Sequence, residues 1–172
     1  MTKRLLSLSM VLNVLALLFG IYYVQRINVS HIPKKPTRVY VDMTSDVLHY
    51  GHSEFFKKAH HLGDYLIVGI CSEHDGKRRN HRSLMSIDER TKALEACRYV
   101  DEVIPDAPLV LTHEWLEKHG IDVVAHADTL NEKDLIKYYA IPYKLGIFKI
   151  LPRTHTITTK EFLHRMQLTQ KK

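Results

Sequence analysis

The chain opens with one long apolar run and then alternates between two kinds of pattern. From Leu5 to Val24, LLSLSMVLNVLALLFGIYYV, 20 consecutive residues carry no charge, and a helix of that length spans the hydrocarbon core of a bilayer. Further on, short runs rich in β-branched residues take turns with segments whose apolar residues recur at helical spacing. RVYVDM (38–43), YLIVGIC (65–71), VDEVI (100–104), IDVVAH (121–126) and IFKIL (147–151) read as strands. Between them, SEFFKKAHHLGD reads as a helix ending at Gly63, and SIDERTKALEAC opens on a capping-box pair, Ser86 and Glu89. THEWLEKHG is a short helix closed by Gly120, NEKDLIKYYAIPYKLG is mixed, and TTKEFLHRMQL is a last helix capped by Thr158 or Thr159.

Strands that are apolar throughout and separated by helices are buried on both faces, which predicts a parallel sheet with right-handed crossovers. The expected architecture is therefore α/β: a Rossmann-like five-stranded parallel sheet with helices on both faces, preceded by one N-terminal transmembrane helix. The expected organisation is an anchor over 1–24, a linker over 25–37 (QRINVSHIPKKPT, with two prolines), a catalytic domain over 38–168 and a disordered tail over 169–172. Open parallel sheets bind ligands at the carboxyl ends of their strands, beside the topological switch point. That rule singles out the loop after the first strand, TSDVLHYGH.

Composition changes this picture in three places. A net charge of +6 over 172 residues suits an anionic partner without choosing among nucleotide, nucleic acid and acidic lipid. The two cysteines, Cys71 and Cys97, form no C-x2-C pair, which argues against a structural zinc and against a disulfide framework. Lys3 and Arg4 before the apolar run would also suit a secretory signal, but the run is long, ends in YYVQR and is followed by no A-x-A-like site, so an anchor is the expected reading. Arg26, Lys34, Lys35 and Arg38 outnumber Lys3 and Arg4, which predicts a single-pass protein with its domain in the cytosol.

The loop chemistry centres on His49 and His52. A helix beginning near Gly51 offers unpaired backbone N–H groups and the positive end of its dipole to a phosphate. Two imidazoles three residues apart face one small space, where each can donate to a phosphoryl oxygen and stabilise charge that builds under attack. Phosphoryl and nucleotidyl transfer rest on positioning and electrostatics, so no nucleophilic side chain is required. Each residue also has a plainer reading. Asp42 could be a strand-end acid capping a loop and Arg153 a solvated arginine; His60, His61, His74 and His81 have no ligand set at zinc spacing, and Cys97 suits a core position.

RVYVDMTSDVLHYGH, YLIVGICS, ERTKALEACRYVDEVI, LTHEWLEKHGIDVVAHAD and RTHTITT, in this order over about residues 38–166, together resemble the cytidylyltransferases that make CDP-choline and related head-group nucleotides. The resemblance implies a transferase of phospholipid biosynthesis. In it a phosphomonoester, phosphocholine or phosphoethanolamine, attacks the α-phosphate of CTP with Mg2+ assisting, giving a CDP-alcohol and pyrophosphate. It implies a homodimer and no nucleic-acid partner. His49 and His52 match the family's H-x-G-H histidines, which hold the triphosphate and the transition state. Arg153, Thr154, Ile157, Thr158 and Thr159 match its R-T-x-G-I-S-T signature, which closes on the nucleotide. Asp42 matches an acid facing the alcohol, Arg90 the arginine of an E-R pair, and Asp128 an acid near the cytidine.

The chain also departs from that pattern. His155 and Thr156 stand where the family has glutamate and glycine, and Asn80 where it has a lysine that contacts the transferred phosphate; in that basic loop Lys77, beside Gly76, is the expected substitute. Leu109 and Asn131 replace aromatics, and Ala127 an acid, around the choline pocket. Two alternatives follow: a membrane-anchored pseudoenzyme that binds nucleotide or partners without turnover, and an adenylyltransferase of the same superfold.

Overall fold

The computed structural model describes residues 8–30, 34–72, 83–153 and 158–169. The chain divides into two compact units, Met1–Lys35 and Pro36–Lys172. The first holds one helix, α1 (Leu8–Ser30). Its Leu8–Arg26 stretch has a mean hydropathy of 1.8 and is long and apolar enough, by length and composition, to cross a membrane. The helix does not stop at Val24 as expected. Residues 25–30 contain neither Gly nor Pro and continue the helix to Ser30, so the first half of the expected linker is helical.

The second unit is a five-stranded parallel sheet of order β3-β2-β1-β4-β5, built from β1 (Arg38–Met43), β2 (Tyr65–Cys71), β3 (Glu102–Ala107), β4 (Val123–Ala127) and β5 (Phe148–Leu151). The helices are α2 (Tyr50–His60), α3 (Ile87–Glu95), α4 (His113–Lys118), α5 (Glu132–Tyr138), α6 (Ala140–Lys144) and α7 (Thr159–Thr169). Thr169, expected in a disordered tail, ends α7.

Strand parity divides the core between two faces. Val39, Val41, Leu66, Val68 and Ile70 point to one face with Phe56 and Ala59 of α2 and Leu94 of α3. Tyr40, Ile67 and Val124 point to the other, with Leu116 of α4 and Tyr138 of α5. Helices thus cover both faces, as a parallel sheet demands. The expectation of burial throughout holds for β1 and β2 but not for the outer strands: β3 exposes Pro105 and Asp106, and β5 exposes Lys149 and Ile150. A sheet has two edges whatever its pattern, and Pro105 is tolerated on one because an edge strand has an N–H row without a ladder partner.

The mixed segment resolves into two helices broken at Tyr139. Pro142 has no N–H to give the Tyr138 carbonyl, which instead accepts the Leu111 N–H at 3.1 Å. At the amino end of the sheet Arg38 acts as a clamp. Its guanidinium meets Glu102 at 2.6 Å and the His119 carbonyl at 3.0 Å, and it lies 4.5 Å over the Tyr65 ring. Arg38 is therefore committed to the domain, so the basic flank beyond the apolar helix is Arg26, Lys34 and Lys35.

Candidate active site

The carboxyl ends of β1 and β4, neighbours in the sheet although far apart in sequence, form the switch point. A cavity of about 310 Å³ opens there, lined by Asp42 and Met43 of β1, His49, His52 and Phe55 around the start of α2, His126 and Ala127 of β4, and Arg153, Thr158 and Thr159 from the end of the chain. The first βα loop, the fourth strand and the residues flanking the 154–157 segment thus meet in one place.

The two loop histidines build the helix start between them. His49 is the N-cap of α2; its Nδ1 accepts the Gly51 N–H at 3.1 Å, while His52 Nδ1 accepts the His49 N–H at 3.3 Å. Of the helix-start N–H groups expected to face a phosphate, that of Gly51 is therefore already taken. A ring nitrogen that accepts an amide N–H carries no proton, so each neutral imidazole is protonated on Nε2. The rings are 4.0 Å apart and tilted by 30°. Burial, followed by the neighbouring His49, pulls the His52 pKa down to about 4, and burial also lowers that of His49. Both rings are thus held as neutral Nε2–H donors near pH 7. His49 Nε2 lies 3.4 Å from Thr159 Oγ1, which links the H-x-G-H loop to the start of α7. Thr158 caps that helix, its Oγ1 accepting the Glu161 N–H at 3.2 Å.

Asp42 is 9% exposed, and each of its carboxylate oxygens lies 2.7 Å from the Tyr139 hydroxyl. Burial of a carboxylate at a cavity wall requires such a donor. Tyr139 in turn packs edge-on to His126, with ring centroids 5.3 Å apart.

Two expected nucleotide residues sit outside the lining. Asp128 accepts the Arg153 N–H at 3.0 Å, so it fixes the backbone where the closing segment begins. Arg90 is fully buried beneath the loops; its Nη1 donates to the Thr44 carbonyl at 2.8 Å and the Cys71 carbonyl at 3.4 Å, while its Nε and Nη2 have no partner among the described residues. Arg90 thereby ties the exits of β1 and β2 together. Asp46 complements it from the same loop, accepting the Leu84 and Met85 N–H groups at 2.7 and 3.0 Å. Lys77, Asn80, Thr154, His155, Thr156 and Ile157 lie outside the described residues.

Sequence reasoning left out His126 and Phe55, and it weighed Tyr139 only as an aromatic that packs a core or surface. For His126 a signal existed, because it is near the carboxyl end of a strand beside the switch point. Tyr139, like Trp115 and Tyr138, was an available aromatic, but a tyrosine in a mixed helical segment reads as packing.

The cytidylyltransferase-like family model matches residues 42–162. The ethanolamine-phosphate cytidylyltransferase of Dictyostelium discoideum is 37% identical over 145 residues, covering 80% of this chain and 39% of that protein. The choline-phosphate cytidylyltransferase 2 of Arabidopsis thaliana is 38% identical over 139 residues, covering 77% of this chain and 45% of that protein. The chain thus spans less than half the length of these relatives. Among solved structures, the lipopolysaccharide core biosynthesis protein of Thermoplasma volcanium GSS1 superposes with a TM-score of 0.57 at 21% identity, covering 70% of this chain and 98% of that one, which shows a shared fold. From the match over residues 42–162 and the identity to both relatives, the chain belongs to the cytidylyltransferase-like family.

Proposed function

We propose that the protein transfers a cytidylyl group from CTP to the phosphomonoester of an amino alcohol, in phospholipid head-group synthesis, using residues 38–168. An oxygen of the phosphomonoester attacks the α-phosphorus of CTP. A new P–O–P linkage forms, the bond from the α-phosphorus to the oxygen bridging to the β-phosphate breaks, and pyrophosphate leaves. The observation that supports this most is the pair of neutral Nε2–H donors, His49 and His52, on the same cavity as Arg153 and the buried Asp42.

The division of labour follows from charge. Donors fixed by their own helix start need no reorganisation as negative charge builds on the α-phosphoryl oxygens. Arg153 adds a cation with a fork suited to phosphate, and the Thr158 and Thr159 hydroxyls stand at a helix start where an anion is favoured. Lys77 is proposed to reach the transferred phosphate, and Thr154 and Ile157 to close on the nucleotide. Asp42, on the opposite charge logic, faces the cationic end of the alcohol. Mg2+ enters as the MgCTP substrate, carried by triphosphate oxygens; such ions take one or two carboxylates at most from their protein.

The apolar helix is proposed as a single-pass anchor with Arg26, Lys34 and Lys35 on the cytosolic flank. The family resemblance implies a homodimer, which sedimentation of the detergent-solubilised chain tests. For the activity, the full chain in detergent is incubated with CTP or ATP, Mg2+ and a panel of phosphomonoesters while pyrophosphate is measured. Release with CTP is the expected result. Release with ATP alone would replace this reading by adenylyl transfer, and no release with any pair would favour a binding protein without turnover.

A further inference from the structure

We infer that the alcohol end of the cavity selects a phosphomonoester whose cation carries N–H donors, a primary ammonium such as that of 2-aminoethyl phosphate, over one with a quaternary ammonium. This inference rests on the cytidylyl-transfer reading of the same site.

The first observation concerns unmet acceptors. Among the described residues the Asp42 carboxylate has one hydrogen-bonding partner, the Tyr139 hydroxyl, which has a single proton to give. A carboxylate offers about four lone-pair sites, so most of its acceptor capacity is left at the cavity wall. A primary ammonium brings three N–H groups to it. A quaternary ammonium brings none, and on entering it would strip water from buried acceptors without replacing it.

The second observation is independent and concerns aromatic faces. A quaternary ammonium is recognised by a cage of aromatic rings. Phe55 is the one Phe, Tyr or Trp among the described residues lining the cavity. The Tyr139 ring is packed between His126, at 5.3 Å, and Phe148, at 5.2 Å, and offers the site its hydroxyl rather than a face. Trp115 is held against Tyr40 at 4.8 Å and His119 at 4.5 Å, packed on the core cluster, and does not line the cavity. The segments 73–82 and 154–157 contain no Phe, Tyr or Trp, so they bring no such ring either.

The full chain in detergent is assayed with MgCTP and four acceptors: 2-aminoethyl phosphate and its mono-, di- and trimethylated forms. A site that hydrogen-bonds its substrate strongly rejects the analogue lacking the donor. The expected kcat/KM falls as N–H groups are removed and is about 100-fold lower for the trimethyl form, and Asp42→Asn narrows that ratio to within a few-fold. Equal or better use of the trimethyl form overturns the inference. If no acceptor is turned over, cytidylyl transfer itself fails, and calorimetric binding then decides the inference separately. Tighter binding of the primary amine supports it; equal affinities, or binding of neither, overturn it.

Discussion

The Tyr139 hydroxyl donates to the Asp42 carboxylate at 2.7 Å, across 97 positions of sequence. It joins the break between two short helices to the end of the first strand, and so sets where the acid points. Replacing Tyr139 with phenylalanine removes one hydrogen bond of about 1 kcal/mol and keeps the ring packing. The expected result is a roughly fivefold rise in KM for the phosphomonoester with KM for CTP unchanged. A parallel rise in both would mean that the tyrosine supports the whole cavity rather than Asp42.

His52→Ala removes one donor to the reacting phosphate and one half of the reciprocal cap at the start of α2. Loss of such a donor lowers kcat by about 10²- to 10³-fold, whereas loss of a cap costs about 1 kcal/mol of stability. Circular dichroism is expected to report a folded protein melting a few degrees lower, with turnover nearly gone. Near wild-type turnover in that variant refutes the role given to His52.

Acid should act on the fold through the same residue. His52 titrates at about 4 in the folded protein against an ordinary 6.5, so between those values the unfolded chain binds the extra proton. The stability it contributes is complete above about pH 6.5 and is lost as the pH falls towards 4, on the order of 3 kcal/mol in all. Urea unfolding midpoints measured from pH 7.5 to 4 should decline, and His52→Asn should flatten that decline. An unchanged slope in the variant places the acid sensitivity elsewhere.

Gly69 lies against the ring of Tyr40, and a Cβ built there would collide with the Tyr40 hydroxyl oxygen. Gly69→Ala should therefore cost several kcal/mol, because both atoms belong to fully packed strands. Tyr40 has the opposite expectation. Its buried hydroxyl has no partner among the described residues, so Tyr40→Phe should be neutral or stabilising by up to about 1 kcal/mol in thermal melts.

Two buried groups hold the loops around the site without lining the cavity. Asp46 accepts the Leu84 and Met85 N–H groups, and Arg90 holds the Thr44 carbonyl. Asp46→Ala leaves two amides without their acceptor and should lower both the melting temperature and kcat. Asp46→Asn retains an acceptor oxygen and should recover most of each. If the asparagine variant is as impaired as the alanine, the negative charge rather than the hydrogen bonds is what the loop requires.

The alternation of β-branched runs with helical periodicity was enough to give five parallel strands, their order of appearance and the helices between them, because burial on both faces leaves its mark on every residue of a central strand. Edge strands escape that logic, and so β3 began and ended later than its apolar run, VDEVI, suggested. The helix α1 runs on to Ser30, into a segment whose two prolines and lack of periodicity suggest a linker, because both prolines lie beyond residue 30.

At the cavity, His49 and His52 follow from a loop after a strand, whereas Asp42 and Arg153 were expected there from the family resemblance alone; all four line it. What the sequence determined alone is local: which segments are strands, which residues cap a helix, which imidazoles share a turn. The partnership of Tyr139 with Asp42, the withdrawal of Arg90 and Asp128 from the cavity wall, and the arrival of His126 beside them were decided by the tertiary structure. Each depends on distances between residues dozens of positions apart, and those distances are set by sheet order and by a helix break at Tyr139, where the Pro142 ring leaves a carbonyl to find its partner elsewhere.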